Sequence, residues 1–548
     1  MKTENFKLLL SIYFLILISV SIKNINCFKC GANKFKLNAY HLNSNGNDER
    51  RRLAVEYTPI KIGVDYSSFI KPTSMFDLTF INIKEILEDT FNEFQKFISV
   101  QHTDIDLSDK EEIIKRSCDL STVAYNYSRF LIQNDVIIFP IFSSDLGNDT
   151  LAAATYCLTD GKRPRPVGGV LKLNSNMNFS LLNTNLYMKR LFFHEITHIL
   201  VFNPTLLNRL GLTSTRNSIT YVKSTKVLSK AKQHFNCGTL TGIPLEDQGG
   251  NGTAGYHWEA RYMLGDYMIS ADYLDNVISD ITIALFEDTK YYKVNYYSGG
   301  LFKYGKNKGC NFLTKKCVTN GTSISNDDFC TSAGQSMCST SKTNKGICMI
   351  FDYSSSGISV PTKFQYFNNP NQGGFLPASF CPVVESPYSE YDYLPTSCRV
   401  GTSNFSSEYG EIIGENSFCF LSSLLPSASS YNIALRPTCY RAECNKNTKQ
   451  TIVFVGNSTF ICPTEGGIIS GTGFKGYLTC PNYTDICGTE TNTLCNEMFD
   501  CLNAKIETDP DIYLYDDNDN TFNKFISGKN IKLNFYSIAM ILMIYLFS

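Results

Sequence analysis

The chain has 548 residues, 43% of them apolar, and 50 basic against 51 acidic side chains for a net charge of −1. That length can bury several cores and reads as about three domains, and the near-cancelled charge excludes the global basic field that would mark a nucleic-acid partner. Twenty cysteines, together with N-x-S/T sequons at Asn126, Asn148, Asn178, Asn251, Asn320, Asn404, Asn457 and Asn482, exclude a reducing compartment as the place of folding. Residues 1–26 hold Lys2 and Lys7 around the start of an apolar run from Leu8 to Ile22. The length of that run suits the core of a cleaved signal peptide rather than a full membrane span. Residues 27–56 hold Cys27, Cys30 and the run Arg50-Arg51-Arg52, which is either a processing site or a solvated charge cluster.

Ile60 to Tyr66 alternates in apolar character and predicts a strand, while Ile83, Ile86, Leu87, Phe94 and Phe97 mark one face of an amphipathic helix. Val136 to Phe142 is a second strand, because Pro140 would break a helix. Val167 to Leu173 is a third; its Gly168 and Gly169 either admit another backbone closely or mark a bulge. From Asn185 to Phe202 the residues Leu186, Leu191, Phe193, Ile196, Ile199 and Leu200 leave hardly any polar face, as in a helix buried inside a domain.

That helix carries His194-Glu195-Ile196-Thr197-His198. Positions i and i+4 share a helical face, so two imidazoles can reach one Zn²⁺ while Glu195 reaches a water beside it. After 58 intervening residues comes His257, and the chain has only six histidines. Three of them in two compact motifs make an economical three-His site with an open fourth position. Pro204 to Tyr256, polar and Gly-rich near its end, reads as a long insertion of loops. Leu274, Val277, Ile278, Ile281 and Leu285 predict a closing helix over Tyr273–Glu287. Fifteen cysteines between Cys310 and Cys501, with few long periodic segments, predict a module held by disulfides. A spacer over 506–532 then leads to an apolar tail over 533–548, the pattern of a GPI-attachment signal.

These motifs, with the stretches Ala153–Asn174, Gly309–Cys317, Phe380–Tyr388 and Gly476–Cys487, resemble the leishmanolysin-type metzincins, the surface zinc proteases of the M8 group. The likeness runs from about Ile60 to about Cys501. It implies an α+β fold: a metzincin-type zinc protease domain with a large insertion, followed by a disulfide-rich, mostly β and loop C-terminal module. Residues 57–203 become the N-terminal subdomain with the active-site helix. Residues 204–300 hold the insertion, the third His, the Met-turn and the closing helix, and 301–505 form the Cys-rich module.

The resemblance further implies one Zn²⁺ on His194, His198 and His257, Glu195 as general base, and Met268, eleven residues beyond His257, in the Met-turn. It assigns Gly168, Gly169 and Val170 to an edge strand that pairs with extended substrate, and it implies the bridges Cys118–Cys157 and Cys237–Cys310. By the same likeness, residues 27–56 are a short pro-segment whose Cys27 or Cys30 thiolate can occupy the open zinc position; a structural disulfide, or removal of Cys27 with the signal, is the other reading. Val201 departs from the pattern, since the family has Gly where the chain leaves the helix with positive φ. A β-branched residue held there costs about 1–3 kcal/mol. Either the helix runs further and Asn203 takes the left-handed position, or the site is distorted.

The expected function is a zinc-dependent endopeptidase acting on extended peptides and proteins. It is expected in the secretory pathway and on the extracellular face of the plasma membrane, held by a GPI or C-terminal anchor, with no nucleic-acid partner. The alternative is a catalytically weak or inactive surface adhesion glycoprotein of the same fold. Natural substrates and oligomeric state stay open.

Overall fold

The computed structural model describes residues 39–42, 57–103, 110–123, 134–147, 150–161, 164–177, 179, 185–248, 253–271, 273, 276–296, 302–385, 396–399, 409–414, 416–432 and 434–487. These residues fall within one compact unit. The signal-like leader, Cys27, Cys30, the arginine run, Leu274, Cys495, Cys501 and the apolar tail lie outside them.

A five-stranded sheet forms the frame, in the order β1 (Tyr40–Leu42), β4 (Ala152–Asp160), β5 (Pro166–Asn174), β3 (Val136–Ser143) and β2 (Ile62–Val64). Only the β4–β5 pair is antiparallel. The strands are apolar because both faces are covered. Ala152, Ala154 and Tyr156 enter the main core, while Ala153, Cys157 and Leu158 pack into a second one. A register irregularity near Tyr156 and Leu158 breaks the alternation at that point. The Cys118–Cys157 bridge ties the helix Glu111–Cys118 to β4 across a separation of 39 residues. Closing a loop of that size stabilises by about 4 kcal/mol in chain-entropy terms.

Two helices pack on the main-core face. Helix α1 (Asp77–Phe97) is amphipathic as expected, and α2 (Asn185–Leu200) is buried nearly all round. Phe94 of α1 stacks on Phe193 of α2 with ring centroids 4.1 Å apart. Phe97 meets the same ring and, edge-on, Phe286. Each such aromatic pair adds about 0.5–1.5 kcal/mol beyond its area, and together they hold α2 against its neighbours.

The glycine pair has a packing role, and the expectation that it lies on an edge strand is corrected. Strand β5, with Gly168, Gly169 and Val170, pairs with β3 on one side and β4 on the other. An added Cβ on Gly168 would stand 2.7 Å from Leu158, and one on Gly169 would fall within 3.0 Å of Ile199 on α2. Only a glycine lets the active-site helix lie so close to the sheet. The outer strand is β4, and β1 covers it at Leu158–Asp160 only.

The segment that follows α2 contains more regular structure than its composition implies. It includes the helices Pro204–Arg209 and Thr225–Phe235 and a small sheet of Thr213–Arg216, Ile219–Val222 and Ile243–Pro244. The Asp288 carboxylate accepts from the N–H groups of Lys226 and Val227, capping the second helix from a distance in sequence. The closing helix is shorter than expected, Asp280–Asp288, because Ser279 caps it and Val277 is drawn into backbone pairing with Gly265 and Tyr267.

Further on, Cys237–Cys310 anchors the insertion, as the resemblance implied, and residues up to Val383 share the main core with the active-site helix. Beyond them stands a six-stranded antiparallel sheet built on Ser417–Ser422, Arg436–Asn445 and Gln450–Val455. Disulfides Cys338–Cys419, Cys398–Cys439, Cys444–Cys487 and Cys462–Cys480 staple it. No helix among the described residues is long and apolar enough to cross a membrane.

Helix α2 ends at Leu200, and the N–H groups of Val201 and Phe202 both donate to the Thr197 carbonyl at 2.9 Å, closing its last turn. Val201 is not among the residues with positive φ. Asn203 is extended, at φ −134°, rather than left-handed, and its side chain caps the helix Pro204–Arg209. Val201 is fully buried core. Val201→Gly is therefore expected to destabilise the protein by about 2–4 kcal/mol, from lost apolar burial and helix propensity. A denaturant melt checks this, and unchanged or higher stability would show that Val201 is strained.

Candidate metal centre

Helix α2 places His194 and His198 one turn apart on one face, and the loop ending at His257 lays a third imidazole against them. Each ring has its Nδ1 occupied in the same way. His194 Nδ1–H donates to the Tyr267 carbonyl at 2.7 Å, His198 Nδ1–H to Phe202 at 2.8 Å, and His257 Nδ1–H to Thr253 at 3.1 Å. A neutral imidazole that donates through Nδ1 presents a bare lone pair at Nε2.

Those lone pairs converge. Ligand atoms of the three histidines all lie within 4.8 Å of one another. His194 Nε2 and His198 Nε2 are 3.1 Å apart, and His257 Nε2 is buried with no hydrogen-bond partner. Two acceptors at that distance repel unless a cation lies between them. Three nitrogen donors with an open side fit Zn²⁺.

Burial also keeps the rings neutral. It pushes His194 down to about 4 and His257 to about 3, and it takes His198 well below its ordinary value with help from the other two imidazoles. Glu195 follows His194 directly and is fully buried.

The turn that receives His194 is itself braced. Asp266 accepts from Met268 N–H at 2.8 Å and from Thr282 Oγ1 at 2.7 Å. Burial raises the Asp266 carboxyl to about 6 even against these donors. Trp258 N–H donates to the Met268 carbonyl at 3.0 Å, and Trp258 Nε1–H to Thr282 Oγ1 at 2.7 Å. The Trp258 ring also stands edge-on to Phe202, centroids 5.0 Å apart. Thr197 Oγ1 bonds the Tyr267 hydroxyl at 3.0 Å, joining the helix to the same turn. Met268 is fully buried, and its main chain makes these contacts.

The structure thus brings His194, Glu195, His198 and His257 together, while Gly168 and Gly169 serve the packing behind them. Sequence reasoning missed the carbonyls of Tyr267, Phe202 and Thr253 and the carboxylate of Asp266. Main-chain acceptors have no residue signature, and Asp266 in Gly-Asp-Tyr-Met reads as an ordinary turn residue.

Such a trio, with every ring fixed in one tautomer and lone pairs inward, has the donor set of a transition-metal site. The chain belongs to the leishmanolysin family of peptidases, whose family model matches residues 89–493. Members of that family are zinc-dependent. The chain is 30% identical to a leishmanolysin homolog of Crithidia fasciculata over 54% of its own length and 47% of that protein's. It is 26% identical to leishmanolysin of Leishmania donovani, with 65% and 61% covered, and 27% identical to a leishmanolysin-like peptidase of Drosophila melanogaster, with 48% and 44% covered. The chain therefore spans about half the length of the curated relatives it matches, from 44% to 61% in these three.

The depressed imidazoles have a measurable consequence. Protons compete with metal only when they can occupy the nitrogens, and in the folded site that begins near pH 4 rather than at the ordinary 6.5. Zinc content after dialysis is expected to hold from pH 7.5 down to about 5 and to fall steeply as the pH approaches about 4. Loss of half the metal by pH 6 would show that these rings titrate as exposed histidines do.

Proposed function

We propose that the protein is a zinc-dependent endopeptidase that hydrolyses extended peptide segments. The observation that carries this reading is the convergence of three Nε2 lone pairs beside Glu195, with all three Nδ1 positions taken by main-chain carbonyls. His194, His198 and His257 would hold one Zn²⁺, which when bound supplies Lewis-acid chemistry, polarising a carbonyl and acidifying water.

Glu195 does the proton work. Its carboxylate accepts a proton from the attacking water as the water oxygen adds to the scissile carbonyl. It then donates that proton to the departing amine as the C–N bond breaks. Burial of Glu195 strengthens its interactions with the groups it serves. The three imidazoles, fixed by their Nδ1–H bonds, keep their lone pairs aimed without reorganisation. Met268, in the braced turn after His257, supplies an apolar floor for the site.

Substrate pairs with β4 rather than β5. Residues Ala152–Cys157 of β4 are paired on one side by β5 and face no other strand among the described residues. An extended peptide adding there gains main-chain hydrogen bonds whatever its sequence. Thr155 of that strand accepts from Asn203 at the exit of the active-site helix, which relates the strand to the catalytic residues.

Eight disulfides among the described residues support maturation in the secretory pathway. Attachment at the outer membrane face is part of the proposal and rests on the apolar segment over 533–548. The adhesin alternative draws no support from Val201, which follows the helix end without a positive φ.

Separate substitutions test the assigned roles. Glu195→Ala is expected to retain zinc and to lose peptide hydrolysis by about 10²–10⁴-fold, whereas His257→Ala is expected to lose zinc itself. Glu195→Ala that cleaves as well as the parent would remove the general base from the account. A zinc-loaded, matured parent that cleaves nothing would favour the adhesin.

A further inference from the structure

A second cluster, with oxygen in place of nitrogen, lies directly behind His257. One ligand atom from each of Glu246, Asp247 and Glu259 falls within 4.8 Å of the others. Main-chain bonds hold the two segments in place: Glu246 N–H donates to the His257 carbonyl at 2.9 Å, and Glu259 N–H to the Pro244 carbonyl at 3.1 Å. Leu245 and Trp258 form an antiparallel bridge between them. Glu246 is 3% exposed and Glu259 4%, while Asp247 reaches solvent.

Most of the buried oxygens are satisfied. Glu246 accepts from Gln248 N–H at 2.9 Å and Ser270 Oγ at 3.2 Å, and Glu259 Oε1 accepts from Ser379 Oγ at 2.8 Å and Arg261 N–H at 3.4 Å. Glu259 Oε2, equally buried, has no donor at all. The ion pair recorded for the cluster is Lys363 Nζ to Asp247 Oδ2, at 3.7 Å. Burial and the approach of neighbouring carboxylates raise the carboxyls of Glu246 and Glu259, so a proton held between them is what a bound cation would displace.

We propose that Glu246, Asp247 and Glu259 form a divalent-cation site that takes Ca²⁺. An all-oxygen set selects a hard cation over the zinc that three imidazoles select. The three oxygens all lie within 4.8 Å of one another, close enough for one Ca²⁺, which binds oxygens at about 2.4 Å, to reach all three. Ca²⁺ accepts irregular arrangements of carboxylates and waters, whereas Mg²⁺ demands a near-ideal octahedron, and the exposed Asp247 side leaves room for the waters. The cation would cross-link the segment before the third histidine's loop to the residue two places after that histidine. It would thereby hold the His257 backbone, which both segments touch.

The test uses the intact protein stripped with EGTA, with CaCl₂ as the probe, followed by equilibrium dialysis with ⁴⁵Ca and by thermal melting. The expected result is about one Ca²⁺ per chain and a raised melting midpoint in the parent. Both effects should be lost in Glu259→Gln and in Asp247→Asn, the latter changing a partly exposed side chain whose ion pair is the long one to Lys363. The calcium count requires neither zinc nor turnover, so its outcome stands apart from that of the peptidase reading. Absence of stoichiometric Ca²⁺, or binding that survives both substitutions, would overturn the proposal. So would a Glu259→Gln protein more stable than a Ca²⁺-insensitive parent, which would mean that a proton rather than a cation joins Glu246 and Glu259.

Discussion

Three buried imidazoles that all spend their Nδ1 hydrogens on main-chain carbonyls must face one another with lone pairs, and the surrounding structure is arranged to hold that repulsive geometry. The acceptors come from three different places. Phe202 lies at the end of the active-site helix, Tyr267 in the turn after the third histidine, and Thr253 in the loop before it. Each ring is thereby locked in tautomer and direction by a segment whose own position is set elsewhere. The arrangement is costly without a cation and would become favourable once one is bound, which would couple metal binding to folding.

The supports form two sets. On one side the glycine pair Gly168 and Gly169 lets α2 settle against the sheet, with Ile199 filling the space a side chain would take. On the other, Trp258, Asp266 and Thr282 form a buried polar cluster under the turn that presents the Tyr267 carbonyl. The first set acts through shape and the second through satisfied hydrogen bonds. A half-satisfied polar cluster at that depth would destabilise the site it supports.

The three-histidine cluster was legible in the sequence because helical spacing alone puts His194 and His198 on one face, and because His257 is one of few histidines. Helix α1 and strand β3 were legible for the same local reason, a period that matches the element. The neighbours of a strand were not. The stretch around Gly168 reads the same at an edge or in the middle of a sheet, and only pairing with the distant β3 and β4 decides between them. The closing helix began late because Ser279 caps it and tertiary pairing claims Val277, neither of which apolar spacing records. The carboxylates of Glu246 and Glu259 carry no spacing signature, since backbone bonds from separate segments bring them together.

X-ray absorption at the zinc edge on the purified, matured protein tests the central claim most directly, because it reads the donor atoms rather than any consequence of them. Three nitrogen donors at about 2.0–2.1 Å, with one light-atom neighbour completing the shell and no sulfur near 2.3 Å, is the expected result. A sulfur shell, a shell with fewer than three imidazoles, or a protein that takes up no zinc would contradict it.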